Sequence, residues 1–229
     1  MRPNGIIIAI DGPTASGKST TAREVAKRLG YIHINTGAMY RAFALYASQW
    51  GITSTNDSRI GGLSEKAYID FDENGNILLE GRDVTKEIQA PEIAQLASEL
   101  ATLPQVRSKM VAMQQEIGKN GGVVLDGRDI GTVVFPDAEL KIFLIAAAET
   151  RAERRLDELV SSGTNISLDK LTQEIKERDK RDSERELSPL KKAADAIELD
   201  TSKLTFDEQV EKVVVLAKGK LQVTVVTGV

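Results

Sequence analysis

One short segment carries glycine, lysine and serine at the spacing of a phosphate-binding loop. Residues 12–19 read GPTASGKS, which fits the pattern G-x-x-x-x-G-K-[ST]. The glycines let backbone N–H groups turn inward toward an anion, and a following helix adds its N-terminal dipole. Lys18 is expected to reach the terminal phosphates, and the Ser19 hydroxyl to ligate Mg²⁺. The chain is therefore predicted to bind a nucleoside triphosphate through Gly12, Pro13, Thr14, Ala15, Ser16, Gly17, Lys18, Ser19 and Thr20.

A second group of charged residues suits phosphate transfer between two anions. DGRDIG places Arg128 and Asp129 after an apolar run, at the edge where open α/β sheets bind ligands. ERDKRDSER supplies charged side chains at positions i, i+3, i+4 and i+7 of one helix face: Arg178, Arg181, Asp182 and Arg185. A phosphate acceptor needs no catalytic base, but two polyanions must be held in line by guanidinium groups and Mg²⁺. A solvated charged helix is the alternative, and it is less favoured beside a phosphate loop.

Three further residues have two interpretations each. Asp126 ends a predicted strand, so it either holds a magnesium-bound water or caps the turn of DGRD. The run RAERR (151–155) either contacts ATP, with Arg154 the preferred residue, or begins a solvated helix. His33 lies between Ile32 and Ile34 in a predicted strand, and it is interpreted as structural rather than catalytic.

The composition excludes several other classes of protein. The chain has 229 residues, a formal net charge of −4 and no cysteine, so disulfides, thiolate metal sites and cysteine nucleophiles are absent. The acidic balance disfavours nucleic acid as a partner. No stretch of 18 or more apolar residues is present, so no membrane span is expected, and without a visible signal peptide a cytoplasmic location is predicted.

The elements that must position these residues alternate between strand and helix, which predicts a parallel sheet covered on both faces. Strands are predicted at Ile6–Ile10, Tyr31–Ile34, Val123–Asp126, Lys141–Ile145 and Ala196–Leu199. Helices are predicted at 17–29, 37–50, 91–101, 105–118, 149–161, 167–181 and 205–218. Residues 67–85 alternate with period two around Asn74-Gly75, which indicates a small antiparallel hairpin. The tail 223–229 is expected to add an edge strand or to be disordered.

Taken together, five segments resemble the bacterial cytidylate kinase family. They are GPTASGKS, NTGAMYRA (35–42), GVVLDGRDIGTVVFPDA (122–138), KIFLIAA (141–147) and IKERDKRDSER (175–185). The resemblance covers nearly all of the chain up to about residue 218, and its most specific motif is DGRDIGTVVFPDA. It implies an α/β P-loop kinase with a five-stranded parallel sheet flanked by helices, a small β insert in the acceptor-binding region and a short helical lid. It also implies the transfer of phosphate from ATP, with Mg²⁺, to CMP or dCMP.

The resemblance also implies roles for individual residues. Thr36 occupies a position usually held by serine and keeps the hydroxyl, while Arg41, Arg128 and Arg185 are expected to grip the acceptor phosphate and the transferring group. The expected base-reading residues are Ser98, Arg107 and Asp129, and the expected lid residues are Arg178 and Asp182. The catalytic set is expected to be Lys18, Arg128, Arg178 and Arg185, and the metal site to use Ser19 directly and Asp126 through water.

The resemblance also suggests a division of the chain into three parts. The core is expected at 1–35, 106–152 and 188–222, the acceptor region at 36–105, and the lid at 153–187. The protein is expected to act as a monomer on small molecules. Two alternatives remain: a P-loop kinase for another acceptor such as UMP, AMP or shikimate, and a nucleotide-binding regulatory module without transferase activity.

Overall fold

The computed structural model describes residues 2–72, 75–161 and 166–226, and it has the α/β architecture that the sequence predicts. The strands are β1 (Ile7–Asp11), β2 (Ile32–Asn35), β3 (Ile69–Phe71), β4 (Ile77–Leu79), β5 (Arg82–Asp83), β6 (Val123–Gly127), β7 (Leu140–Ile145) and β8 (Ile197–Asp200). The helices are α1 (Lys18–Leu29), α2 (Thr36–Gln49), α3 (Ile60–Lys66), α4 (Pro91–Leu100), α5 (Pro104–Gly118), α6 (Ala148–Ser161), α7 (Leu168–Glu184) and α8 (Phe206–Val226). All five strands predicted for the main sheet are present, each displaced by at most one residue.

The main sheet is five-stranded within the described residues, in the order β2-β6-β1-β7-β8. β1 pairs in parallel with both β6 and β7, and β7 pairs in parallel with β8. β1 is buried at every residue because it lies at the centre of the sheet, which explains the apolar run Ile6–Ile10 that precedes Asp11. Ile6, Ile8 and Ile10 pack there with residues of α1 and α8, so the sheet holds the start of the phosphate loop rigidly.

The chain divides into two compact units, and the first consists of Met1–Tyr31 and Asn120–Val229. Within it, α6 and α7 pack together, and they correspond to the helices predicted at 149–161 and 167–181. Their small apolar cluster contains Ala152, Leu171 and Ile175, and Ala15 of the phosphate loop packs against it. The two charged helices therefore share a small apolar interface, and the phosphate loop contacts it through Ala15.

The second unit consists of Ile32–Lys119. Its small sheet is antiparallel, as predicted, but β5 adds a third strand to the expected hairpin, and α3 is a helix that the sequence analysis missed. Asn74, which predicted the turn, lies outside the described residues. Proline at the first turn begins both α4 and α5, since its missing N–H has no partner to lose there.

The C-terminal end of the described chain corrects one expectation. α8 continues to Val226, so residues 223–226 are helical rather than an edge strand. Residues 227–229 lie outside the described part of the chain. The apolar run that suggested a strand instead extends the helix whose earlier turns pack on the main sheet through Val210, Val213 and Val214.

Candidate active site

The phosphate loop connects β1 to α1 through a backbone that side chains would obstruct. A Cβ atom at Gly12 would lie 2.3 Å from the carbonyl oxygen of Leu144, so only glycine fits where the loop passes β7. Gly17 is left-handed, with a φ of 85°, and Ala15 also has a positive φ, of 58°. Successive right- and left-handed residues turn backbone N–H groups toward one point, which is the geometry of an anion site.

Lys18 and Ser19 follow the loop at the start of α1. The Lys18 ammonium is buried and donates to the carbonyl oxygen of Pro13 at 2.5 Å. Burial lowers the pKa of Lys18 well below its usual range and Arg128 lowers it further, whereas Asp126 acts in the opposite direction. The Ser19 hydroxyl donates to Asp126 Oδ2 at 2.5 Å, so the two expected metal-site oxygens lie together.

All three polar groups of Thr14 have partners from elsewhere in the first unit. Its N–H donates to Asp179 Oδ1 at 2.9 Å, its carbonyl oxygen accepts from Arg151 Nη1 at 2.8 Å, and its hydroxyl accepts from Arg128 Nη2 at 3.0 Å. Arg128 was expected at this site. Arg151 was included only in the run RAERR, where Arg154 was the preferred residue, and Asp179 was not expected. One signal could have found Asp179, because it lies three residues before Asp182 and so shares a helix face with it.

Arg128 and Arg185, two of the residues expected to bind phosphate, belong to one cluster of charges in the first unit. Arg128 Nε donates to Asp182 Oδ2 at 2.7 Å, and Arg185 lies 4.0 Å from Asp182 and 3.7 Å from Asp129. Burial alone would raise the pKa of Asp182, but neighbouring guanidinium groups outweigh it and hold the pKa below its usual value. These groups belong to Arg128, Arg178 and Arg185. The shared carboxylate therefore offsets the mutual repulsion of these three arginines.

Asp11 is a buried carboxylate that the sequence analysis did not single out. It ends β1 and accepts from the N–H groups of Ile130 at 2.9 Å and Gly131 at 2.8 Å. Burial raises the pKa of Asp11 to about 6, although both backbone hydrogen bonds act in the opposite direction. Because Ile130 and Gly131 follow Asp129, Asp11 attaches the DGRDIG segment to the strand that precedes the phosphate loop.

Arg154 is half-buried and binds Thr201, the residue that follows β8. Its guanidinium donates to the carbonyl oxygen of Thr201 at 2.6 Å and to the hydroxyl of the same residue at 3.1 Å. His33 is half-buried in β2, in keeping with its interpretation as structural.

The expected acceptor residues of the second unit lie on three of its helices. Thr36 is the buried first residue of α2, whose N-cap Asn35 accepts from the N–H of Ala38 at 2.8 Å. Arg41 lies on α2, Ser98 on α4 and Arg107 on α5. The Arg107 guanidinium is buried, donates to the carbonyl oxygen of Ala101 at 3.2 Å and lies 5.7 Å from the centre of the Tyr40 ring.

Comparison with known proteins agrees with this geometry. The cytidylate kinase family model matches residues 8–219. The chain belongs to the cytidylate kinase family. Curated cytidylate kinases of Bacillus cereus (strain ATCC 10987 / NRS 248) and Bacillus thuringiensis (strain Al Hakam) are each 48% identical to it over 217 residues, covering 93% of this chain and 96% of theirs. The resemblance inferred from the five sequence segments is therefore confirmed.

The solved structures add a likeness in fold. An uncharacterized protein from Eubacterium ventriosum ATCC 27560 superposes with a TM-score of 0.53 at 12% identity, covering 93% of this chain and 98% of its own. Within the part of the chain that the structure describes, no helix is both long and apolar enough to cross a membrane.

Proposed function

We propose that this member of the cytidylate kinase family transfers the γ-phosphate of ATP to CMP or dCMP, giving ADP and CDP or dCDP. One observation carries the proposal: Arg128 donates both to Thr14 of the phosphate loop and to Asp182 of α7. The guanidinium group that would stabilise a transferring phosphate is thus held directly at the loop that would bind the donor.

The donor side uses the loop and the start of α1. Backbone N–H groups of residues 12–20 cradle the phosphates, and Lys18 neutralises charge that grows on the β- and γ-phosphates as the bond breaks. Burial, and after it the nearby Arg128, lower the pKa of Lys18, and bound phosphates would add anions that favour its charged form. Arg154 is proposed to contact ATP.

The oxygens at Ser19 and Asp126 fit Mg²⁺, because hydroxyl and carboxylate oxygens are the hard ligands this ion prefers. Ser19 would ligate the ion directly, and Asp126 would hold one of its water molecules. When bound, Mg²⁺ neutralises phosphate charge and orients the donor.

The acceptor side combines arginines for phosphate with polar groups for the base. Arg41, Arg128 and Arg185 bind the acceptor phosphate, while Arg178 and Asp182 close on its phosphate and sugar and Thr36 adds a hydroxyl. No general base is required, since the acceptor oxygen is already a nucleophile at neutral pH.

Cytosine is selected by its hydrogen-bonding pattern. The Asp129 carboxylate accepts from the N4 amino group, Arg107 donates to N3 and O2, and Ser98 supplies a further polar contact. Uracil carries an oxygen in place of N4, and a desolvated carboxylate facing that oxygen would have no proton to share.

The region 36–105 is proposed to bind the monophosphate and 153–187 to form a lid. Closure of the lid would keep water from the γ-phosphate, because water competes with CMP as an acceptor. The enzyme is proposed to act as a monomer in the cytoplasm, and light scattering after size-exclusion chromatography tests the monomer.

An acceptor panel tests the proposed function. Purified protein with ATP should form ADP fastest with CMP and dCMP, more slowly with UMP, and negligibly with AMP or shikimate. Chelation of Mg²⁺ should abolish the rate with every acceptor. A preference for UMP, AMP or shikimate would contradict the proposed acceptor, and nucleotide binding without turnover would indicate a regulatory module.

A further inference from the structure

An ion pair between α6 and α7 forms hydrogen bonds with the backbone of the phosphate loop. Arg151 on α6 donates through Nη1 to Asp179 Oδ2 at 2.5 Å and to the Thr14 carbonyl oxygen at 2.8 Å. Its Nε donates to the carbonyl oxygen of Ala146 at 2.9 Å, and Asp179 Oδ1 accepts the Thr14 N–H at 2.9 Å. Both the donor and the acceptor of one loop residue are therefore held by one pair of side chains.

Burial distinguishes this pair from another that joins the same two helices. The side chains of Arg151 and Asp179 are 7% and 17% exposed, whereas those of Lys176 and Glu149 are 54% and 65% exposed. An exposed pair contributes little, because water and salt screen it. A buried pair is costly unless further hydrogen bonds satisfy its groups, and here those bonds go to Thr14 and Ala146. Packing of α6 against α7 does not by itself require hydrogen bonds from this buried pair to the phosphate loop.

The charge balance of the pair suits a site for a triphosphate. A carboxylate at the loop would repel polyphosphate if it stood alone, but the Arg151 guanidinium 2.5 Å away neutralises Asp179. The neutral pair can thus remain beside the loop when phosphates are bound. It orients the peptide groups on both sides of Thr14, and the next residue, Ala15, has the positive φ of 58° on which the loop's curvature depends.

A second contact joins the same elements at the same point. Ala15 packs against the apolar cluster of α6 and α7 that contains Leu171 and Ile175. The loop is therefore attached to these helices both by hydrogen bonds at residue 14 and by apolar contact at residue 15.

We propose that Arg151 and Asp179 are positioning residues that lock the phosphate loop to α6 and α7, so that transfer to the acceptor is favoured over hydrolysis of the donor. This role rests on the proposed kinase function, and neither residue needs to touch a nucleotide to fulfil it. Without the lock, the loop and α7 would separate more often, the γ-phosphate would shift from its aligned position, and water would reach it.

The experiment uses the whole chain with Asp179→Leu, Asp179→Asn, Arg151→Met and Arg151→Lys, and with Glu149→Gln and Lys176→Gln as matched controls in the same helix pair. Formation of ADP and of CDP is measured separately, together with the KM for ATP. Asp179→Leu and Arg151→Met should lower the kcat for CDP formation about 10- to 100-fold and raise the ratio of ADP to CDP well above one.

The conservative variants separate geometry from charge. Asp179→Asn keeps an oxygen that can accept from the Thr14 N–H, and Arg151→Lys keeps the positive charge without the guanidinium geometry. Both variants should therefore have an ADP to CDP ratio closer to one than the apolar variants. Asp179→Asn also provides a folded enzyme if Asp179→Leu fails to fold. The two control variants should leave both the kcat and the ADP to CDP ratio as in the wild type.

Amide exchange at Thr14 tests the lock without relying on activity. In the enzyme without nucleotide, exchange of the Thr14 amide should be at least about tenfold faster in Asp179→Leu than in the wild type or Glu149→Gln, because the Thr14 N–H loses its acceptor. Unchanged exchange in Asp179→Leu, or an ADP to CDP ratio that stays at one in every variant, would overturn the lock. A wild type without CMP kinase activity but with this exchange pattern would refute the proposed function alone.

Discussion

The two units of the molecule hold their charged side chains in different ways. The first unit buries many of them around the phosphate loop and pairs them across long sequence separations, as in Arg128–Asp182 and Arg151–Asp179. In the second unit, the ion pairs Arg59–Asp57 and Arg82–Glu87 are local and have exposed arginines. Its buried Arg107 is held by a backbone carbonyl and an aromatic ring instead of a carboxylate.

The difference matches the main chemistry proposed for each unit, phosphate binding in the first and base reading in the second, although Arg41 of the second unit is also assigned to phosphate and Asp129 of the first to the base. Binding phosphates requires several charges to be held close together, so carboxylates are needed to offset repulsion between the arginines and lysine before substrate arrives. Reading a neutral base requires few charges but a fixed direction for each hydrogen bond, which burial against a ring and a carbonyl provides. Charge changes in the first unit should therefore have larger effects than those in the second.

The largest effect is expected for Lys18→Ala. Loss of the buried ammonium removes the charge that stabilises the breaking phosphate bond, so CDP formation should slow by about 10² to 10⁴. Lys27→Ala, in the exposed last turn of α1, is the matched control and should keep the wild-type rate. Steady-state rates of both purified variants check this, and near-normal turnover by Lys18→Ala would contradict the assigned role.

Two aspartates should show opposite pH dependences of stability. The pKa of Asp11 is raised to about 6, so the folded state binds its proton more tightly than the unfolded state, and its contribution to stability should decrease as pH rises from about 4 to 6. The fall amounts to about 3 kcal/mol. The Arg59 guanidinium lowers the pKa of the half-buried Asp57 to about 2, so the contribution of Asp57 to stability should be present above about pH 4 and lost as pH falls through 2.

Urea unfolding of the wild type, Asp11→Asn and Asp57→Asn across this pH range measures both contributions. As pH rises, the free energy of unfolding of the wild type should fall relative to that of Asp11→Asn. Relative to that of Asp57→Asn, the free energy of unfolding of the wild type should instead rise. If the free energies of unfolding of the wild type and Asp11→Asn change in parallel with pH, the ionised Asp11 carboxylate does not destabilise the folded state.

A smaller effect, on selectivity, is expected for Arg107→Met. Removal of the donor to N3 and O2 should reduce the preference for CMP over UMP about tenfold to a hundredfold, because the discriminating hydrogen bonds are lost. Lys109→Met lies on the same helix and pairs with exposed Glu65, so it should preserve the preference. Equal losses with CMP and UMP in the Arg107 variant would mean that this residue does not read the base.

The smallest effect is expected at the surface of the second unit. Arg82 and Glu87 form a two-pronged ion pair at 2.8 Å, but both side chains are about half exposed. Arg82→Ala should change the free energy of unfolding by less than about 1 kcal/mol and leave the kinase rate unaffected. A loss of kinase rate in Arg82→Ala as large as that expected for Arg151→Met would contradict the contrast between the two units.

Local patterns predicted most of the fold because they follow from rules that need no tertiary contact. Apolar runs predicted the five strands, and the run around Ile6–Ile10 is buried at every position as expected for a central strand. The short helix α3 was missed, since its sequence IGGLSEK contains two glycines, which disfavour helix in isolation. Residues 223–226 were misread because β-branched residues favour a strand unless packing of the preceding turns continues the helix.

The sequence by itself determined the phosphate loop, the arginine clusters and the family, because each depends on residue types at fixed spacing along the chain. Only the tertiary structure revealed Asp11, Arg151 and Asp179 as partners of the site. Their contacts with one another, with the phosphate loop and with the DGRDIG segment span 28 to 165 residues along the chain, as between Arg151 and Asp179 or between Asp179 and Thr14. A carboxylate or guanidinium in a charged helix looks the same whether it is solvated or buried, and burial depends on how distant elements pack.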